Sequence, residues 1–255
     1  MGVRLIKTGY THHIGYRSYQ QDSFGISPQD EPKGVLALVA DGMGGLAGGE
    51  LISALVTATV LRSFFAASDA ASGREILLNA LSAASARVND LLAEPGRSDG
   101  GSTLVAVLIR DAGFDFISVG DSRICLLRAG ATALETINSP HVYAVELDEM
   151  AARGEISQEQ ALQDRQRAAL TSYIGMGEIK KISASDTELP LNSGDTILLM
   201  SDGVFNTVSN DELVRIIRSG EPQQAAKTLE MAVLAHDNKH QDNFTAVIIE
   251  IGEGR

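Results

Sequence analysis

Four aspartates of this 255-residue chain share one kind of local setting. Asp41 follows Val39-Ala40 and precedes Gly42, and Asp121 follows Val119-Gly120 and precedes Ser122. Asp202 follows Leu198-Leu199-Met200-Ser201 and precedes Gly203, and Asp242 precedes Asn243 and the apolar run from Phe244. Three lie where an apolar strand runs out and the fourth where one begins, so rigid sheet edges can aim their carboxylates into a shared cleft. Singly, each has an ordinary explanation as turn chemistry. Taken together they point further, because Asp41-Gly42-Met43-Gly44-Gly45 holds more glycine than a turn needs. Such a loop lets backbone approach a ligand and offers carbonyl oxygens to a metal.

Converging carboxylates repel one another unless cations neutralise them. Hard oxygen donors without His or Cys select Mg²⁺ or Mn²⁺ over zinc. Two such ions can share one water, make it hydroxide at neutral pH, and stabilise the attacking and leaving oxygens at phosphorus with no phosphoryl-enzyme intermediate. Arg17, in Gly15-Tyr16-Arg17-Ser18-Tyr19-Gln20-Gln21-Asp22-Ser23, offers a planar fork that matches phosphate oxygens. Read alone, it is equally an ordinary surface arginine.

Strands and helices must hold these residues in place. Val35 to Ala40 is a short, wholly apolar run that reads as a buried strand ending in the glycine turn. Leu51, Leu55, Val56, Val60, Leu61 and Phe64 recur at helical spacing from about Gly49 to Ala66. A second helix fits Arg74 to Leu92. Ser102 to Ile109, Phe114 to Val119 and Ile124 to Arg128 read as short strands joined by tight turns. The charged, Gln-rich stretch Glu146 to Gln166 reads as a helical surface insertion, with strands resuming at Ile179 to Ser185 and Thr196 to Met200. Helices fit Asp211 to Arg218 and Gln223 to Ala235, and a last strand Phe244 to Ile251. Tight turns imply antiparallel pairing, and paired helices imply packed sheets with helices outside, an α+β class.

Hydrophobic residues make up 44% of the chain, ample for one large core, so residues 1–255 read as a single domain with a flap insertion at about 139–180. A net charge of −12 argues against nucleic acid or an anionic membrane as partner. It leaves room for a phosphorylated substrate, since bound cations invert the local field. The single cysteine, Cys125, excludes an intramolecular disulfide and reads as a core thiol on a strand. The first residues hold no apolar run of signal-peptide length, and no segment reads as the ~18 apolar residues of a membrane span, so cytoplasmic residence is expected. The five histidines read as solvent or core residues.

In chain order these pieces resemble the metal-dependent PP2C-type (PPM) protein phosphatases. The matching segments are Arg17-Ser18-Tyr19-Gln20-Gln21-Asp22, Val39-Ala40-Asp41-Gly42-Met43-Gly44-Gly45, Gly101-Ser102-Thr103, Val119-Gly120-Asp121-Ser122-Arg123, Ser201-Asp202-Gly203-Val204 and Gln241-Asp242-Asn243-Phe244-Thr245. The resemblance implies a central antiparallel β-sandwich flanked on both faces by helix pairs. It implies that Asp41, Asp202 and Asp242 ligate a first Mn²⁺ or Mg²⁺. Asp41 would bridge to a second ion, joined by the Gly42 carbonyl, with Asp22 acting through water. Arg17 would bind substrate phosphate. Asp121 would help Asp202 form a third, weaker site found in bacterial members, and Glu146 to Gln166 would be the variable flap. The activity implied is hydrolysis of phosphoserine and phosphothreonine in proteins, by a monomer opposing a bacterial eukaryotic-like Ser/Thr kinase.

The chain departs from the family pattern at three places. Gln20-Gln21 stands where relatives often have Asn then Glu or Gln. Met43 stands where some have a histidine, and Ser139-Pro140-His141 keeps only the histidine of an Asp-His-Ser segment. No side chain is therefore assigned as general acid, and metal-polarised water fills that role. Two other functions compete. A non-catalytic phosphoprotein-binding scaffold would be expected to lack core aspartates, which this chain keeps. A small-molecule phosphoesterase on the same fold would show a deep pocket instead of a shallow cleft.

Overall fold

The computed structural model describes residues 5–44, 48–96, 99–110, 113–236 and 239–253. In chain order its elements are β1 (Ile6–His13), β2 (Asp22–Ile26), β3 (Val35–Met43), α1 (Gly48–Ala66), α2 (Gly73–Leu92), β4 (Gly101–Ser102), β5 (Leu104–Ile109), β6 (Gly113–Val119), β7 (Arg123–Leu127) and β8 (Glu135–Thr136). They continue with α3 (Tyr143–Ala152), α4 (Gln158–Gln163), β9 (Ser183–Ala184), β10 (Leu189–Pro190), β11 (Thr196–Met200), α5 (Asp202–Phe205), α6 (Asn210–Ile217), α7 (Pro222–Ala235) and β12 (Phe244–Ile251).

The strands form two antiparallel sheets, one ordered β1-β12-β11-β7-β8 and the other β10-β6-β5-β3-β2. Their central strands are apolar at nearly every position because both faces are covered. Side chains alternate across a strand, which divides these residues between two destinations. Ala37, Val39, Val105, Val107, Ile124, Leu126, Ile197, Leu199, Val247 and Ile249 meet between the sheets. Leu36, Leu38, Ala106 and Leu108 face outward and pack with Ile52, Val56, Val60 and Phe64 of α1 and Leu77, Leu81 and Val88 of α2. On the opposite side Leu198, Met200, Ala246 and Ile248 pack with Leu213 of α6 and Leu229 and Val233 of α7. The layers are therefore helix, sheet, sheet, helix, as the resemblance implies.

Several elements differ from the sequence reading. β1 and β2 were not foreseen, because Lys7, Thr8 and Thr11 mask the alternation in β1 and β2 is only five residues long. β3 does not end at Ala40. It runs on through Met43, since Asp41 pairs with Asp22 on β2 while Gly42 and Met43 pair with Ser102 and Gly101 on β4. The expected turn is thus strand over Asp41-Gly42-Met43, and its Gly45 lies outside the described residues. The buried stripe of α1 is carried by Ile52 in place of Leu51, which is exposed. By length and composition α1 would be long and apolar enough to cross a membrane, with a mean hydropathy of 1.3, contrary to expectation. Its apolar stripe is instead packed on α2 and β3. The stretch read as one insertion helix is two, α3 and α4, with Ser157 and Gln160 forming a capping box at the start of α4. The strand expected at Ile179 to Ser185 shrinks to β9.

Candidate active site

The aspartates gather at one end of the sandwich because of strand register. Asp22 opens β2 directly opposite Asp41 on β3. On the other sheet, Arg123 at the start of β7 pairs with Met200 at the end of β11, and Met200 pairs with Ala246 near the start of β12. Asp121, Asp202 and Asp242 therefore flank one edge of that sheet.

Asp22 ties the two sheets together. It is 5% exposed, and its Oδ2 accepts hydrogen bonds from Ser201 Oγ at 2.7 Å and Thr245 Oγ1 at 2.8 Å. The Thr245 hydroxyl spends its only proton on Asp22, so it accepts at 2.9 Å from Nδ1 of His12, which sets that ring's tautomer. Asp22 Oδ1 is buried with no hydrogen-bond partner. A buried carboxylate oxygen left bare is costly unless something occupies its lone pairs.

Electrostatics records the convergence. Burial pushes Asp41 well above the usual carboxylate range, and the charges of Asp22, Asp202, Asp121 and Asp242 push it further. Asp202 is pushed up to about 7, first by burial and then by Asp121, Asp242 and Asp22. Burial raises Asp22 to about 6 despite its two hydroxyl donors, and it raises Asp121 against the partial relief of a backbone hydrogen bond and Arg123. A cluster that resists ionisation first by burial and then by mutual repulsion is one that a divalent cation would stabilise.

The neighbouring residues act as clamps. Asn243 donates from Nδ2 to Ile14 O at 2.8 Å and Tyr19 O at 3.0 Å, and its Oδ1 accepts from Gln21 N at 2.7 Å. It thereby holds the loop that carries Arg17. Gln241 donates to Gly203 O at 2.9 Å, so the residues on either side of Asp242 are both fixed. A Cβ on Gly203 would collide with Asn243 O, which is why glycine follows Asp202. Thr103 Oγ1 accepts from Asp41 N at 3.0 Å and lies 2.8 Å from Ser122 Oγ, coupling the Asp41 strand to the Asp121 turn. His141, buried, accepts at Nδ1 from Gly120 N at 3.1 Å. Gln21 donates to Gly44 O at 3.1 Å and so anchors the glycine loop.

These clamps escape sequence reasoning because each acts on a backbone group or a distant strand. Asn243, Gln241, Ser201, Thr103, Gln21 and Thr245 lie in the segments that resemble the family, but nothing there gives their clamping roles, and His12 lies outside those segments.

Arg17 lies beside the cluster, its Nη2 2.6 Å from Asp242 Oδ2. Among the described residues no three acidic, imidazole or thiolate side chains already stand as an ion's coordination shell. The donor set nevertheless fits a hard cation, being all oxygen, mutually repulsive, and supplied with the bare Oδ1 of Asp22.

A family model for protein phosphatase 2C matches residues 9–234. The chain belongs to the protein phosphatase 2C family. Among curated relatives, the serine/threonine phosphatase stp of Listeria innocua is 26% identical over 92% of this chain and 91% of its own length. Among solved structures, the serine/threonine phosphatase PstP/Ppp of Mycobacterium tuberculosis superposes with a TM-score of 0.80 at 26% identity, covering 97% of this chain and 99% of that one. The catalytic domain of PstP in complex with two manganese ions shares the fold, with a TM-score of 0.77 at 24% identity over 98% of this chain and 100% of that one. All six segments that resemble the 2C family fall in or beside the described aspartate cluster, except for Gly45, which is not described.

Proposed function

We propose that the chain hydrolyses phosphoserine and phosphothreonine monoesters in proteins, using two divalent ions held by this cluster. The observation that carries the reading is the convergence on Asp41 of four further carboxylates, all felt in its raised pKa. Family membership and the manganese-bound relative support it.

In this reading Asp41, Asp202 and Asp242 hold a first Mn²⁺ or Mg²⁺. Asp41 and the Gly42 carbonyl hold a second, which Asp22 reaches through water, and Asp121 with Asp202 contributes to a weaker third. Bound there, the ions would supply a hydroxide nucleophile and Lewis-acid charge at the phosphoryl oxygens. The chain's own residues do the rest. Ser201 and Thr245 fix Asp22 through Oδ2 and leave Oδ1 without a hydrogen-bond partner, free to serve the ions if they bind. Arg17 leaves Asp242 and receives the phosphate with its fork, orienting the ester for in-line attack. Asn243 keeps that arginine within reach.

The segment at about 139–180 acts as a flap on the same domain. Both its ends are tied to the site, His141 N donating to Gly120 O and Ser102 bridging to Ile174. Since the product hydroxyl is what a protein kinase phosphorylates, the opposing reaction is that of a Ser/Thr kinase. A cytoplasmic monomer is the setting we propose for it.

The test is turnover of a phosphothreonine peptide and of p-nitrophenyl phosphate with Mn²⁺, then with chelator. Turnover that requires the divalent ion is expected, and turnover that persists in chelator overturns the proposal.

A further inference from the structure

Two guanidinium groups bracket the carboxylate cluster. Arg17 closes it at Asp242. At the other end stands Arg123, two residues beyond Asp121, which the proposed reaction does not use. Arg17, Arg110, Arg128, Arg153 and Arg167 each grip a carboxylate. Among the described residues Arg123 has no such ion pair. It is held by a ring: its guanidinium carbon lies 3.7 Å from the centre of Phe205, the last residue of the α5 turn that Asp202 opens. Stacking of this kind fixes the plane of a guanidinium and leaves its N–H edge open to a partner.

Arg123 also lines a cavity of about 260 Å³, together with Asp121, Thr136, Asn138 and Pro140. Asn138 is fully committed. Its Oδ1 accepts from Ile124 N at 2.8 Å, and its Nδ2 donates to Ser118 Oγ at 3.0 Å and Ser122 O at 2.9 Å. Arg123 is thus the cation left to recognise an occupant. The volume falls below the roughly 300–1,000 Å³ of a small-molecule pocket, which suits a single side chain better than a metabolite.

We propose that this cavity is a subsite for an anionic side chain of the substrate protein, near in sequence to the phosphorylated residue and read by the stacked fork of Arg123. The inference rests on the phosphatase reading and deepens it. Asp121 shares the cavity wall, and its charge is engaged when it takes part in holding a cation. Nearness in sequence follows from nearness in space, because Thr103 Oγ1 joins Asp41 N at 3.0 Å to Ser122 Oγ at 2.8 Å, next to Asp121, and an extended chain advances about 3.3 Å per residue. A chain with a net charge of −12 disfavours acidic peptides in general. A preference for one acidic position must therefore come from a local cation.

The experiment is a panel of phosphothreonine peptides of neutral composition, assayed with Mn²⁺, in which a single Glu is moved through about four positions on either side. A parallel set carries a second phosphoserine in place of Glu. At one position the anion should raise kcat/KM about five- to tenfold, the scale of one charge-assisted pair. Arg123→Gln should level the panel, and Arg123→Lys should keep part of the preference. A response to Glu assigns a carboxylate as the occupant, and a response to the second phosphate alone assigns a phosphate. A flat panel with the unaltered protein overturns the inference whatever the variants do, as does a preference that survives Arg123→Gln in a protein whose melting temperature is unchanged. Absence of turnover on every peptide, the neutral one included, removes the phosphatase reading and this inference with it.

Discussion

Arg17 and Asp242 form an ion pair, Nη2 to Oδ2, at 2.6 Å, with side chains 56% and 40% exposed. A pair this open to water contributes about 0–1 kcal/mol. It is therefore easily exchanged, as the proposed passage of Asp242 to a cation and Arg17 to a phosphate requires. The pair holds two functional groups in a resting arrangement without locking either.

Replacing Arg17 by Ala should raise KM for a phosphothreonine peptide by about tenfold or more, the loss of one charged hydrogen-bonding group. The same change frees Asp242, so Mn²⁺ affinity measured by calorimetry should hold or improve. Weaker Mn²⁺ binding with unchanged KM would mean that the arginine serves the metal site and not the phosphate.

Asp202→Asn removes a carboxylate that the folded protein holds up to about 7. Turnover should fall by at least about a hundredfold, since even outer partners of a metal site cost 10–100-fold. In chelator the variant should be more stable than the parent, by on the order of 1–2 kcal/mol allowing for its partial exposure, because a source of repulsion is gone. Equal or lower metal-free stability would show that Asp202 is not held against its neighbours' charge.

The aspartates were legible because each lies at the edge of a strongly apolar strand, and their fixed order makes a pattern that no single Asp-Gly pair makes. The same apolarity made β3, β5, β11 and β12 plain. What sequence reading missed depends on pairing across the chain. β1 is recognisable only once Ile6 to His13 lies against β12. Asp41 reads as a turn residue until Asp22 is seen opposite it. Thr245 reaches Asp22 from 223 residues along the chain, and His12 acts on Asp22 only through Thr245 and carries no local mark.

That contact gives a further expectation. Thr245→Val keeps the shape of the side chain but leaves Asp22 Oδ2 with Ser201 alone. Metal-free stability, read from urea unfolding, should fall by about 1–3 kcal/mol, the cost of a lost donor to a buried carboxylate. Mn²⁺ affinity should fall with it, because Oδ1 is no longer aimed. A fully stable variant with parental Mn²⁺ affinity would mean that Ser201 alone positions Asp22.

The raised carboxylates also fix a dependence on pH. Asp22 sits at about 6 and Asp202 at about 7, against about 3.9 in an unfolded chain. Between pH 4 and 7 the folded protein therefore holds carboxylate protons that the unfolded chain has released, which lowers metal-free stability as pH rises, while burial of His12 and His141, which lowers their pKa, opposes this in part up to about pH 6.5. Asp195 does not oppose this. Hydrogen bonds from Ala129 N, Asn192 N and Arg128 hold it below the usual range, and its contribution is complete above about pH 5. Between pH 5 and 7.5 Asp22 gives up about one pKa unit of this difference and Asp202 about two, at about 1.4 kcal/mol per unit before the histidines and solvent screening are set against them. At about 2–4 °C per kcal/mol, the melting temperature in chelator should be lower by several degrees at pH 7.5 than at pH 5. Mn²⁺ should reverse the slope, since the cation takes the place of the protons and binds best where the carboxylates are bare. A metal-free protein that is equally stable at the two pH values would show that the carboxylates are not held together in the folded chain.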